Sequence, residues 1–190
     1  MLMRGAYRGL LVAAGLVLCG CTGVAEEPAP PASASPSPSA SPSPSVPVKP
    51  ERPAAMERDD AEGAAAAAEY FIELYPYVMA TGDVEEFEAL SHRACGFCSQ
   101  ALEDANQIQE LGQTYQGGAT TTILLSQYGR DELTGIYPLD VEVRQEASRT
   151  LEANGSVASA AKEQTSEHRV EVGRRSGNWL IVGVAPRPEQ

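Results

Sequence analysis

The chain has 190 residues, with 14 basic and 26 acidic side chains, a net charge of −12 and only 6% aromatics. Such a balance repels phosphate backbones, which argues against nucleic acid as a partner, and it keeps the protein off an anionic lipid surface unless a covalent anchor holds it there. The 43% apolar fraction is inflated by alanine, so the length accommodates one domain with a modest core and a remainder.

Residues 1–20 read as an export signal. Arg4 and Arg8 form a positive start, and residues 9–18 form a short apolar run. The run is shorter than the ~20 residues that span a bilayer. Leu18-Cys19-Gly20-Cys21 follows and resembles the lipobox of bacterial lipoproteins, with Cys19 where Ala or Ser is more usual. The resemblance implies cleavage after Gly20 and diacylglycerol on the Cys21 thiol, with acyl chains such as palmitate at the new amino terminus. The protein would then sit lipid-anchored on the extracytoplasmic face of the cell membrane. This covalent lipid is the one added group expected, with no other cofactor. Loss of Arg4 and Arg8 takes the net charge from −12 to −14. An ordinary secretory signal that leaves Cys21 free, or an uncleaved amino-terminal anchor, would read similarly.

Residues 21–52 form a Pro/Ala/Ser-rich linker that includes Ser35-Pro36-Ser37-Pro38 and Ser41-Pro42-Ser43-Pro44. Such a segment has no apolar groups to offset the entropy of ordering and is expected to be disordered. Its prolines stiffen it toward ~3.1 Å per residue, so the stretch 22–58 can reach ~100 Å. A passive spacer is the simplest role; sugar attachment and recognition by a proline-binding domain are the alternatives.

Residues 53–190 are expected to hold the folded domain. Asp59, Asp60 and Glu62 place negative charge where a helix dipole favours it. The alanines at 64–68 propagate a helix whose apolar face includes Tyr70, Phe71, Ile72, Leu74 and Tyr75. Pro76 should kink it, and Gly82 suits a left-handed cap. Asp83 with Glu86 predicts a capped second helix over 84–90, and Ser99 a cap for a third, along which Leu102, Ala105, Ile108 and Leu111 recur at helical spacing.

The pattern then turns to strands. Residues 120–128 are β-branched and apolar. Residues 136–144 alternate, with Leu139, Val141 and Val143 on one face and Asp140, Glu142 and Arg144 on the other. Asn154-Gly155 marks a turn whose flanks are too polar to read as strands. Residues 168–174 form another strand, and Ser176-Gly177 turns the chain into the buried run 179–184. Helices followed by antiparallel strands give an α+β class, with the helices on one face of a curved sheet.

A long helix, Thr81-Gly82-Asp83, a short helix, Cys95-x-x-Cys98 and a terminal Trp179 strand together resemble an uncharacterised family of actinobacterial lipoproteins. Their domain is similar to the nuclear-transport-factor-2-like, or SnoaL-like, cone. The resemblance covers roughly residues 53–186 and implies a half-open cone with a pocket between sheet and long helix. That superfamily includes both enzymes and binders, so the fold alone leaves the function open.

In an oxidising compartment, Cys95-Gly96-Phe97-Cys98 reads first as a structural disulfide. A redox dithiol is the functional alternative, although a thioredoxin-like site would place the motif after a strand. Zinc lacks ligands, since only His92 lies nearby, and no metal is expected. His92 and His168 are both expected to face water. No serine has a recognisable nucleophile setting, and no catalytic residue is assigned. Tyr70, Tyr75 and Tyr128 are the candidate pocket residues, with Tyr77 as a further tyrosine and Asp83 as a helix cap. The expected function is a non-catalytic binding or interaction domain on a tether, meeting an envelope protein or a small apolar ligand. A small cone enzyme with a pocket acid or base, and a thiol–disulfide exchange protein, are the alternatives.

Overall fold

The computed structural model describes residues 48–189. The export signal, the lipobox with Cys21 and the linker up to residue 47 lie outside the described residues.

A 3₁₀ turn, Ala54–Glu57, leads into α1, Ala61–Thr81. Asp60 caps α1 by accepting from the N–H groups of Glu62 and Gly63, which satisfies two of the free donors at a helix start. Its carboxyl is held down to about 2, chiefly by the Arg58 guanidinium and next by the Gly63 N–H. Pro76 lies within the last turns without ending the helix. Gly82 does end it, at φ 71°. At Gly63, near the start of α1, side-chain size is closely limited. A Cβ there would lie 2.4 Å from the Arg58 carbonyl oxygen and 3.0 Å from the Trp179 ring.

The second and third helices start where neither expected cap predicted. α2, Glu85–Leu90, has Val84 at its cap position, with no side-chain cap. Asp83 instead accepts from the Tyr77 hydroxyl at 2.8 Å and pairs with Lys49. α3, Gly96–Glu110, begins inside the cysteine motif, so Cys95 is the cap and its sulfur accepts the Cys98 N–H at 3.2 Å. This start places Cys98, Ala101, Ala105 and Ile108 on the buried face, while Leu111 is 54% exposed.

Seven antiparallel strands follow. β2 (Thr120–Gln127), β3 (Tyr137–Gln145), β6 (Gln164–Arg175) and β7 (Asn178–Pro186) pair in the order β2-β3-β6-β7. β1 (Thr114–Gly117), β4 (Ser148–Leu151) and β5 (Val157–Ala161) form a smaller sheet in the order β1-β4-β5. The flanks of Asn154-Gly155 are therefore strands after all. Their partners supply the hydrogen bonds, although every residue of β5 is exposed. Gly117 and Gly118, at φ 76° and 74°, break β1 from β2, and the chain of the neighbouring ribbon breaks at the same level between β3 and β4. Gly117 must lack a side chain, because a Cβ would approach the Ala147 oxygen to 2.3 Å. The result is a curved, cone-like sheet.

The free edge of β7 is partly covered. Ser91 forms a parallel bridge to Ile181, and the His92 N–H donates to the Ile181 carbonyl at 3.0 Å. The core gathers Phe71, Leu74, Val78 and Phe87 from the helices with Leu139, Val141, Val170, Val172, Trp179 and Ile181 from the sheet. Each of these is at most 1% exposed. Phe71 stacks on Phe87 at 4.1 Å, and the Trp179 Nε1–H donates to the Met56 carbonyl.

Candidate functional site

The cone interior between α1 and the sheet is occupied by the core side chains just named. The three candidate pocket tyrosines are not brought together there. Tyr70 is buried against α2, with its hydroxyl toward Glu86, and burial together with that carboxylate raises its pKa. Tyr75 lies beside Phe97, with ring centroids 6.0 Å apart, and burial pushes its hydroxyl up to about 12. Tyr128 belongs to a different group, on the outer side of the sheet.

That group centres on Asp140, whose side chain has no solvent exposure. The alternation of β3 sets it on the face opposite Leu139, Val141 and Val143, and on that face it is nonetheless fully buried. Arg169 grips it with two bonds of 2.8 and 3.1 Å, Arg187 donates at 3.2 Å and the Tyr128 hydroxyl at 2.7 Å. The Arg169 guanidinium also lies 4.9 Å from the centre of the Tyr128 ring. Arg169 holds the Asp140 carboxyl below its ordinary range against the opposing effect of burial. Arg187 reaches on to Glu167 at 2.7 Å. Two cations thus meet two carboxylates, so the network neutralises itself and is built as a clasp between β3, β6 and the carboxy-terminal segment. Its partners lie 12, 29 and 47 residues from Asp140, beyond the reach of any local pattern.

His168 also departs from expectation. It pairs with Val141 across β3 and therefore shares the inner face, where it is half-buried. Burial pushes its imidazole below the ordinary value, partly opposed by a hydrogen bond to the Ala185 backbone. Ser166, two residues away on the same face, places its Oγ 2.8 Å from His168 Nε2. In the same row, across Val143, Thr122 has a buried hydroxyl with no partner among the described residues. A neutral histidine beside a serine hydroxyl can take up a proton. The i, i+2 spacing on a strand was the only hint of this pair in the sequence.

Cys95 and Cys98 are joined in a disulfide, and both residues are 1% exposed. The bond closes the first turn of α3 and fixes the connection from α2. Among the described residues, no group of three His, Cys, Asp or Glu side chains is placed to hold a metal ion, and no helix is long and apolar enough to cross a membrane.

Among the described residues, the clefts that open at the surface include the following two. One, of about 350 Å³, lies among Glu167, Arg187 and Glu189 beside the Asp140 clasp. The other, of about 420 Å³, lies where the α2–α3 connection meets the β6–β7 turn, and His92, Arg93, Arg175, Ser176 and Asn178 line it. Some 80 residues separate its two halves, and no motif in the sequence joins them.

No curated protein matches the chain in sequence. Among solved structures, it is similar to the intermembrane space region of chloroplast protein ARC6, at 13% identity and a TM-score of 0.52, with 70% of this chain and 99% of that one covered. Looser likenesses are to a variant of Rd1NTF2_05, at 13% identity and a TM-score of 0.41 over 66% of this chain and 97% of that one, and to a periplasmic fragment of TraM, at 12% and 0.39 over 67% and 93%. At such identities the likeness concerns the fold alone. Residues 33–185 match the model described as "Family of unknown function (DUF6318)", and the chain belongs to that family.

Proposed function

We propose that this protein is an extracytoplasmic lipoprotein of the actinobacterial kind, anchored to the cell membrane through lipid on Cys21. Its α+β domain binds a partner at its surface and does not turn over a substrate inside the cone. The observation that carries the binding role is the filled interior. Phe71, Leu74, Phe87, Leu139, Val141, Val170 and Trp179 occupy the space between helix and sheet where a cone enzyme would hold its substrate. This favours an envelope protein or other envelope component over a small apolar ligand. The closed Cys95–Cys98 disulfide supports an oxidising compartment. Leu18-Cys19-Gly20-Cys21 supports the anchor, and the linker of residues 21–52 would carry the domain away from the membrane.

Mass spectrometry of membrane-extracted protein tests the anchor. A mature chain beginning at an acylated Cys21 is expected, and an amino terminus without acyl chains overturns it. Titration with an anilinonaphthalene sulfonate dye tests the filled interior. No saturable fluorescence rise is expected, whereas micromolar binding would reveal an open apolar cavity.

A second reading, a small acid–base enzyme, draws support from the Ser166–His168 pair. Hydrolysis of an activated ester that disappears in both Ser166→Ala and His168→Gln would decide for it. Thiol–disulfide exchange is disfavoured, because both sulfurs are shielded from an attacking thiolate.

A further inference from the structure

We propose that the cleft between the α2–α3 connection and the β6–β7 turn is a binding site for a phosphate ester. The inference rests on the reading of the domain as a surface binder and not on the lipid anchor.

The cleft holds about 420 Å³ and is lined by His92, Arg93 and Arg175 together with the polar side chains of Ser91, Ser176 and Asn178. Among the described residues no carboxylate lines it, in a chain where acidic residues outnumber basic ones 26 to 14. Elsewhere the domain neutralises many of its cations: Lys49, Arg52, Arg58, Arg169, Arg174 and Arg187 each have a carboxylate partner. Among the described residues, neither Arg93 nor Arg175 has one. Two uncompensated guanidiniums facing one concavity of an acidic protein attract an anion. Their planar forks match the paired oxygens of a phosphate.

The site is also held in shape before any ligand arrives. On one side, the His92 N–H donates to the Ile181 carbonyl, the Cys95 N–H to the His92 carbonyl at 2.8 Å, and the disulfide locks the next turn. His92 Nδ1 accepts the Ala94 N–H at 3.2 Å, which leaves the ring proton on Nε2 as a donor. On the other side, Arg175 and Asn178 are register partners across a two-residue turn. Ser176 and Gly177 both have positive φ there, at 52° and 87°. Ser176 is the one non-glycine residue with positive φ among the described residues. Preorganisation of this kind lowers the ordering cost of binding. The volume exceeds what a bare phosphate needs and leaves room for the esterified group.

Binding is measured by calorimetry on the full-length chain in detergent, with inorganic phosphate and glycerol phosphate as soluble probes. A second arm measures the gain in retention on vesicles of phosphatidylcholine containing phosphatidic acid over vesicles of phosphatidylcholine alone. Saturable binding of glycerol phosphate without a vesicle gain assigns a soluble ester; a vesicle gain assigns a lipid headgroup. Either supports the proposal if Arg93→Ala and Arg175→Ala each weaken it at least tenfold while Tm stays within about 2 °C. Arg175→Lys, which keeps the charge but not the fork, is expected to recover only part of the loss. Absence of saturable binding to all probes, or binding unchanged in both alanine variants, overturns the phosphate assignment. The dye and ester measurements are unaffected by that failure, so it is distinct from failure of the binder reading.

Discussion

Replacing Asp140 with Asn tests the clasp on the outer side of the sheet directly. The substitution keeps the shape and one acceptor oxygen but removes the charge that two guanidiniums share. At an effective dielectric of ~20, a unit pair ~4 Å apart is worth ~4 kcal/mol, and the desolvation of all three groups offsets much of the sum. Breaking a buried pair by removing one partner typically costs ~3–5 kcal/mol. Arg169 and Arg187 keep 29% and 24% of their side-chain surface. They can turn toward water once the carboxylate is gone, which places Asp140→Asn near the lower end, at ~3 kcal/mol. In a domain of this size that corresponds to a fall in Tm of ~10 °C. Urea unfolding followed by far-ultraviolet circular dichroism measures it, with Glu142→Gln on the same strand as a control expected within ~0.5 kcal/mol. A double-mutant cycle with Arg169→Gln should give a coupling of at least ~1 kcal/mol. A loss below ~1 kcal/mol for Asp140→Asn, or no coupling, would refute the clasp.

Three further outcomes are expected. Gly63→Ala should destabilise by ~1–2 kcal/mol in the same assay despite alanine's better helix propensity, because its Cβ meets the Arg58 carbonyl and the Trp179 ring; Gly96→Ala, with open space around it, should be neutral. Cys95→Ser with Cys98→Ser should cost ~2 kcal/mol, the chain-entropy value for so short a loop, and a loss of 4 kcal/mol or more would mean that the bond organises more than its own turn. Acid should destabilise the fold in two stages, read as urea midpoints against pH. His168 binds a proton less readily folded than unfolded, so stability should fall as pH drops through ~6.5 until it passes the lower folded value. Asp140 has a depressed folded pKa, so its contribution is full above ~3.9 and is lost as pH falls through that lower value. His168→Gln should remove the first stage, and Asp140→Asn should shrink the second without removing it, because the Asp60, Asp83, Glu86 and Asp131 carboxyls are also held below their ordinary values.

Features governed by local rules were legible in the sequence. The long helix ending at Gly82, the alternation of β3 and the tight turn at Ser176-Gly177 follow from propensity, period and turn chemistry, and all appear in the structure. Errors arose where a nearby group claimed a residue first. Asp83 lies one residue before the cap position and is engaged chiefly by the Tyr77 hydroxyl and Lys49. The Cys95 sulfur, held by its disulfide, takes the cap role that Ser99 was expected to fill. β5 is exposed throughout and β4 buries only the polar Thr150, so no apolar alternation marks either strand. Long-range partnership was invisible. Asp140 looks like a solvent residue until Arg169 and Arg187 fold over it. His92 and Arg93 look like a polar loop until the distant hairpin brings Arg175 beside them.

The Ser91–Ile181 bridge has a consequence for how copies of this domain behave side by side. An unprotected outer strand offers its spare amides and carbonyls to any neighbour, and sheets then grow from one molecule into the next. Here the α2–α3 connection occupies part of that rim and takes up the Ile181 carbonyl internally. Crowded molecules therefore find less backbone on this flank with which to zip together, and the disulfide that stiffens the connection helps keep the flank closed.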